Sequence, residues 1–267
     1  MHAKNPMLSA VSAFARRGIA VGAFLLLAGC AQSMSDMSDS PLPKNLVADS
    51  LTSAALQAES SGDFRSAAAH YRTLLDRAPN DRRIMLRYAR ALRLGGEPRQ
   101  AAAYLEQLSR AEKPDANSLI EIAKAYLSSD QLPIAARYLD QAMTIAPKNW
   151  EVLSLFGVVL DYQGKNAEAR DHYKAALELS PDNSTVLNNL GLSLAMTGDL
   201  DGAIAALEKA KDQPGSSHHT RQNLALMLAM KGDAAGAERF ARKDQSPETV
   251  RANLRYFRAL ADSARTY

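Results

Sequence analysis

Apolar residues return along this chain at helical spacing, and the spacing itself repeats. Within residues 150–183, Leu153, Phe156, Gly157 and Leu160 fall at i, i+3, i+4 and i+7, one face of a helix. Gly164 ends that helix, because a residue content with positive φ closes a helix at low cost. Ala169, Tyr173 and Ala176 then fall at i, i+4 and i+7 on a second helix, which Pro181 stops. Each stripe is too narrow to bury the other completely, so the pair needs neighbours. With Trp150 as position 1, equivalent units begin at Ala48, Arg82, Ala116, Trp150, Ser184 and His218, each 34 residues after the last.

Three columns hold through all six units. Position 20 is alanine every time: Ala67, Ala101, Ala135, Ala169, Ala203 and Ala237. Position 8 is Ala55, Ala89, Ala123, Gly157, Gly191 and Ala225, and position 15 is Gly62, Gly96, Asp130, Gly164, Gly198 and Gly232. A helix-turn-helix period of this length with small residues at 8 and 20 resembles the tetratricopeptide repeat (TPR). The resemblance covers residues 48–245 and implies an all-α, right-handed TPR solenoid of about six repeats with a C-terminal capping helix. Positions 4, 7, 8, 11, 20, 24 and 27 are the expected core, and Asp130 is expected to take the left-handed turn geometry that glycine takes elsewhere. Pro98 and Pro133 stand at the starts of second helices, where proline is tolerated. The first repeat is thin, with Ala54, Ala55 and Ala58, and the sixth departs at Arg221, Ala241 and Asp244. Ser246 and Pro247 then read as N-cap and first position of a terminal helix over 246–267, with Val250, Leu254, Phe257 and Ala261 on its apolar stripe and Arg251, Arg255 and Arg258 elsewhere.

The first residues differ in kind. Lys4, Arg16 and Arg17 precede an apolar run from Gly18 to Ala28, too short for a permanent span, which ends Leu27-Ala28-Gly29-Cys30. This resembles a bacterial lipoprotein signal over 1–29 with its lipobox, which implies a lipidated Cys30 followed by a flexible tether to residue 47. Several acyl chains on one residue anchor firmly, whereas one chain binds only marginally. Ala31 stands where the inner-membrane retention signal would place aspartate, so the resemblance implies the outer membrane, facing the periplasm. Loss of Lys4, Arg16 and Arg17 with the signal brings 32 basic residues down to 29, equal to the 29 acidic ones, and nothing then favours nucleic acid as partner.

TPR helices of the first kind line a binding groove through positions 2, 5, 9, 12 and 13. These include Arg83, Arg90, Arg93 and Lys124 in the second and third repeats, and Leu192, Ala195 and Met196, then Leu226, Ala229 and Met230, in the fifth and sixth. A front basic face and a methionine-bearing apolar back would suit an amphipathic peptide with an acidic portion. The same pattern reads equally as a solvated basic face with the back covered by the terminal helix. It does not match the carboxylate clamp of chaperone-binding TPRs. Catalysis finds no support: His218-His219 lacks metal-ligand spacing, Gly191-Leu192-Ser193-Leu194-Ala195 lies inside a helix, and Gly164-Lys165 lacks the upstream glycine of a phosphate loop. No cofactor or small-molecule substrate is expected.

The end of the chain, Ala241 to Leu260 with Asn253-Leu254-Arg255-Tyr256 at its centre, resembles that of the TadD-like TPR lipoproteins of tight-adherence (Tad/Flp) pilus systems. That resemblance implies an outer-membrane lipoprotein assisting the pilus secretin in the manner of a pilotin, with a segment of the secretin as the protein partner. Two other classes stay open: another envelope adaptor, such as a scaffold for peptidoglycan hydrolases or outer-membrane assembly, and a TPR module with an unrecognised hydrolytic site.

Overall fold

The computed structural model describes residues 46–111, 113–242 and 248–250. Twelve helices follow one another among the described residues: α1 (Leu46–Ser60), α2 (Phe64–Arg77), α3 (Arg82–Leu94), α4 (Pro98–Ala111), α5 (Ala116–Ser128), α6 (Leu132–Ile145), α7 (Trp150–Tyr162), α8 (Asn166–Leu179), α9 (Ser184–Met196), α10 (Leu200–Lys211), α11 (His218–Lys231) and α12 (Ala234–Ala241). Five of the six first helices begin at the residue the period assigns. The exception is α1, which starts at Leu46 and so takes in the last two residues of the expected tether. The chain divides into a front unit ending at Leu155 and a rear unit running on from Phe156. Cys30, the signal, the tether up to residue 45, residues 243–247 with Asp244 and the expected cap at Ser246 and Pro247, and residues 251–267 lie outside the described residues. No described helix is long and apolar enough to cross a membrane.

The three sequence columns have physical causes. Position 20 is buried to 1% exposure or less in all six repeats, so the paired helices close directly over its methyl group. Position 15 is left-handed in all six, from φ 59° at Asp130 to 98° at Gly232. At position 8 the approach is closest in the fourth repeat, where a Cβ on Gly157 would stand 2.5 Å from Cε1 of Tyr173. A fourth column was not used in the sequence reading. Position 34 is Asp81, Asp115, Asn149, Asn183 and Ser217, and each side chain accepts a backbone N–H of the following helix, as Asn149 Oδ1 does from Glu151 at 2.8 Å.

The core departs from expectation at the first helix of the fourth repeat. Leu153, Phe156 and Leu160 are only half-buried. In other repeats much of the expected face is buried, as at Tyr88, Leu92, Leu119, Ile122, Leu187, Leu224 and Leu228, and positions 3 and 10 are buried as well: Ile84 and Ala91, Ser118 and Ala125, Val186 and Ser193, Thr220 and Met227. In the first repeat, which has no repeat before it, Ser50 and Gln57 at those positions are exposed. Each first helix therefore buries two flanks, one against its own partner and one against the preceding repeat, and a single helical stripe describes only the former. At the far end, Val250 is 1% exposed and belongs to the apolar cluster of Leu224, Ala237 and Phe240, so the chain continues over the last hairpin.

Candidate partner-binding faces

In the front unit the basic residues read from the sequence are not alone. Arg93 (4% side-chain exposure) directs Nε and Nη2 to Oε2 of Glu121 at 3.3 and 3.2 Å. Lys124, 5% exposed, donates to Oε1 of Glu121 and pairs with Oε1 of Glu151, both at 2.6 Å. The four residues come from α3, α5 and α7, all first helices, and pack into one ion cluster. Burial alone would push the Glu121 carboxyl up, but the charges of Lys124, Arg93 and Arg90 bring it down to about 2. Burial would likewise lower Lys124, and Glu121 and Glu151 more than offset it, so its ammonium is held above the usual lysine range. At the base of the front face, then, Arg93 and Lys124 are both paired with carboxylates. Arg83 is more exposed and pairs with the cap residue Asp81 at 3.4 Å, and Arg90 is half-buried one turn before Arg93.

Two of these contacts share a register: position 12 of the first and second repeats meets position 6 of the repeat that follows. Glu59 accepts from Nη1 of Arg87 at 3.3 Å, and one repeat later the polarity is reversed in Arg93 and Glu121. The same columns then carry Leu127 and Leu155, both buried. Glu121 and Arg87 were missed in the sequence reading because neither lies on the columns expected to line the groove. Their signal was present as complementary residues 28 positions apart.

In the rear unit, Leu192 is 6% and Leu226 9% exposed, while Met196 and Met230 are half-buried. Sulfur of Met196 lies 3.7 Å from Nδ2 of Asn166. Beside them sits a buried carboxylate that sequence reasoning did not single out. Asp161, at position 12 on α7, accepts from Asn166 Nδ2 and Ser193 Oγ at 2.8 Å each on Oδ1, and from the Tyr173 hydroxyl at 2.9 Å on Oδ2. It ties α7, α8 and α9 together. Burial pushes its carboxyl above the ordinary aspartate range despite those donors. The front unit repeats the motif, with Arg87 placing Nη1 3.5 Å from the Tyr71 hydroxyl as well as on Glu59. Tyrosine at position 24 occurs only in the first and fourth repeats, the two with a carboxylate at position 12. Asn223, fully buried, donates to Asn188 at 2.9 Å.

His218 and His219 lie side by side at the start of α11, with ring centroids 3.8 Å apart and planes tilted by 39°. Among the described residues no group of His, Cys, Asp and Glu is placed to hold a metal ion. What the faces offer is shape, charge and apolar area.

Residues 58–119 and 155–217 each match a tetratricopeptide-repeat model. Among solved structures, the thermophilic TPR protein TTC0263 of Thermus thermophilus is 20% identical with a TM-score of 0.61, covering 68% of this chain and 98% of that one. Cut9-Hcn1, an APC/C hetero-tetramer, gives 15% identity and 0.63 over 79% of this chain and 42% of that one. The pilF protein of Pseudomonas aeruginosa gives 16% and 0.52 over 73% and 89%. At these identities the likeness is one of fold. No curated protein sequence matches the chain. The fold is the TPR solenoid, the chain carries its repeats, and repeats of this kind are protein-interaction scaffolds.

Proposed function

We propose that the chain is an outer-membrane-anchored TPR scaffold that holds a segment of a partner protein, and that it serves a Tad/Flp pilus secretin as a pilotin-like, TadD-like assembly factor. The observation that carries the pilus reading is the tail Ala241–Leu260 with its Asn253-Leu254-Arg255-Tyr256 core, which resembles that lipoprotein group. The lipobox ending at Cys30 supports the anchor, since a thiol directly after a small-residue box and an apolar run is the acceptor such a signal needs. The mechanism is physical: lipid fixes the scaffold at the membrane, and the faces of the first helices capture the partner.

Crosslinking on outer membranes, followed by identification of what copurifies with the lipidated chain, tests the reading. Recovery of the secretin supports it, and loss of secretin multimers in an Arg90→Glu, Met196→Asp variant extends the support to the two faces. Unchanged pili and secretin together with disturbed cell shape would point instead to an envelope adaptor. Cys30→Ser should move the chain into the soluble fraction, and membrane attachment that persists would remove the lipid anchor from the proposal.

A further inference from the structure

The apolar face of the rear unit is already shut. Position 9 is leucine in the first, fifth and sixth repeats. Leu56 is 38% exposed, whereas Leu192 and Leu226 are buried, as are Ala195 and Ala229 one turn further on. The 34-residue period stops with the sixth repeat, so the shielding of Leu226 and Ala229 does not come from a seventh. What reaches this face is the start of the final segment: Val250 is buried and shares one apolar cluster with Ala195, Leu226 and Ala229. The 17 residues after it would span about 25 Å as a helix. That is enough to cross α11 and its neighbour α9, since packed helices lie about 8–10 Å apart. Leu254, Phe257 and Ala261 continue the stripe that Val250 begins, at i+4, i+7 and i+11. Charge agrees with this placement. Residues 156–250 hold 13 acidic and 10 basic residues, a balance of −3, and residues 251–267 hold four arginines against one aspartate, a balance of +3.

We infer that residues 251–267 occupy the face formed by Leu192, Met196, Leu226 and Met230, as an amphipathic segment the chain supplies to itself. The apolar stripe lies on the face and the arginines Arg251, Arg255 and Arg258 stay outside it. Tethering holds the segment there at an effective concentration on the order of millimolar, so any free segment must compete with it. The rear face then opens to a partner only by displacement, and the methionine side chains repack around either occupant. That consequence rests on the scaffold reading above; the occupancy itself does not.

Two measurements on the purified full chain test the inference. In the first, photoreactive benzoylphenylalanine replaces Phe257, and mass spectrometry maps what it captures. Crosslinks within one chain to residues 192–196 and 226–230 are expected. Crosslinks to a second copy, to the front unit, or only to α12, as a cap on the end of the stack would give, would overturn it. In the second, a fluorescein-labelled peptide of residues 248–267 is read by anisotropy. Leu254→Asp with Phe257→Asp in the chain should empty the face and tighten peptide binding at least about tenfold over the parent. Ser263→Asp with Thr266→Asp adds the same charge off the stripe and should not. Met230→Asp, at a half-buried residue, should reverse the gain; if that variant fails to fold, Met196→Asp, also half-buried, takes its place. Equal binding to parent and emptied chain, no binding to either, or equal tightening by the two double variants would overturn the inference. Any of these leaves the scaffold reading standing, whereas outer-membrane crosslinking that recovers no protein partner removes the scaffold and leaves the occupancy.

Discussion

Asp161→Ala is the sharpest probe of how one repeat is fastened to the next. The substitution removes three acceptor contacts at once and strands the amide of Asn166 and the hydroxyls of Ser193 and Tyr173 in a site where the parent residue is 5% exposed. An unmade buried hydrogen bond costs about 1–3 kcal/mol, and removing a buried carboxylate gives back part of that sum, so a loss of about 3–5 kcal/mol is expected. Asp161→Asn isolates the charge. Its carbonyl still accepts from Asn166 and Ser193, its amide nitrogen can donate to the Tyr173 hydroxyl oxygen, and the cost should stay within about 1 kcal/mol. The pH dependence follows from the sign of the shift. A carboxyl raised in the folded state binds its proton more tightly there, so its contribution is greatest below the ordinary aspartate value of 3.8 and declines as pH rises through the folded value. The Asn variant should therefore gain on the parent across that window and run parallel above it. Urea titration followed by far-UV circular dichroism, at several pH values, measures all three proteins. An Ala variant within about 0.5 kcal/mol of the parent, or an Asn variant less stable than the Ala one, would refute the staple.

Three further outcomes are expected. Ala169→Phe, at a fully buried methyl, should cost about 1–3 kcal/mol by overpacking, and an unchanged melting temperature would remove the repeat register. Glu121 titrates near 2 when folded against 4.5 unfolded, so its contribution is present above 4.5 and lost as pH falls towards 2; a Glu121→Gln variant should lack that acid-sensitive loss while being less stable than the parent at neutral pH. Glu59→Arg and Arg87→Glu should each destabilise the front unit, and the double variant should recover part of the loss, with a coupling of about 0.5–3 kcal/mol in a denaturation cycle; strict additivity would sink the pairing of position 12 with position 6.

The sequence determined the period, the hairpin boundaries and the columns at positions 8, 15 and 20, because these answer to local demands. A turn needs positive φ whatever surrounds it, and two helices that touch need a small residue where they touch. Tertiary structure decided what each first helix does with its other flank. Position 3 carries Ile84, Ser118, Val152, Val186 and Thr220, a column too mixed in polarity to read as core, yet buried throughout because the preceding repeat covers it. It also decided the meaning of charge. Arg93 and Lys124 read as cations on a groove, but the stacking of α3, α5 and α7 brings Glu121 and Glu151 against them and turns a basic stripe into a paired ion cluster. Asp161 stands at position 12, near the end of α7, and only the meeting of three helices makes it a buried acceptor. Side-chain periodicity reports which face of a helix turns inward; part of what waits there comes from the next repeat, as Glu121 does for Arg93 and Ser193 for Asp161, and that pairing is settled only when the repeats stack.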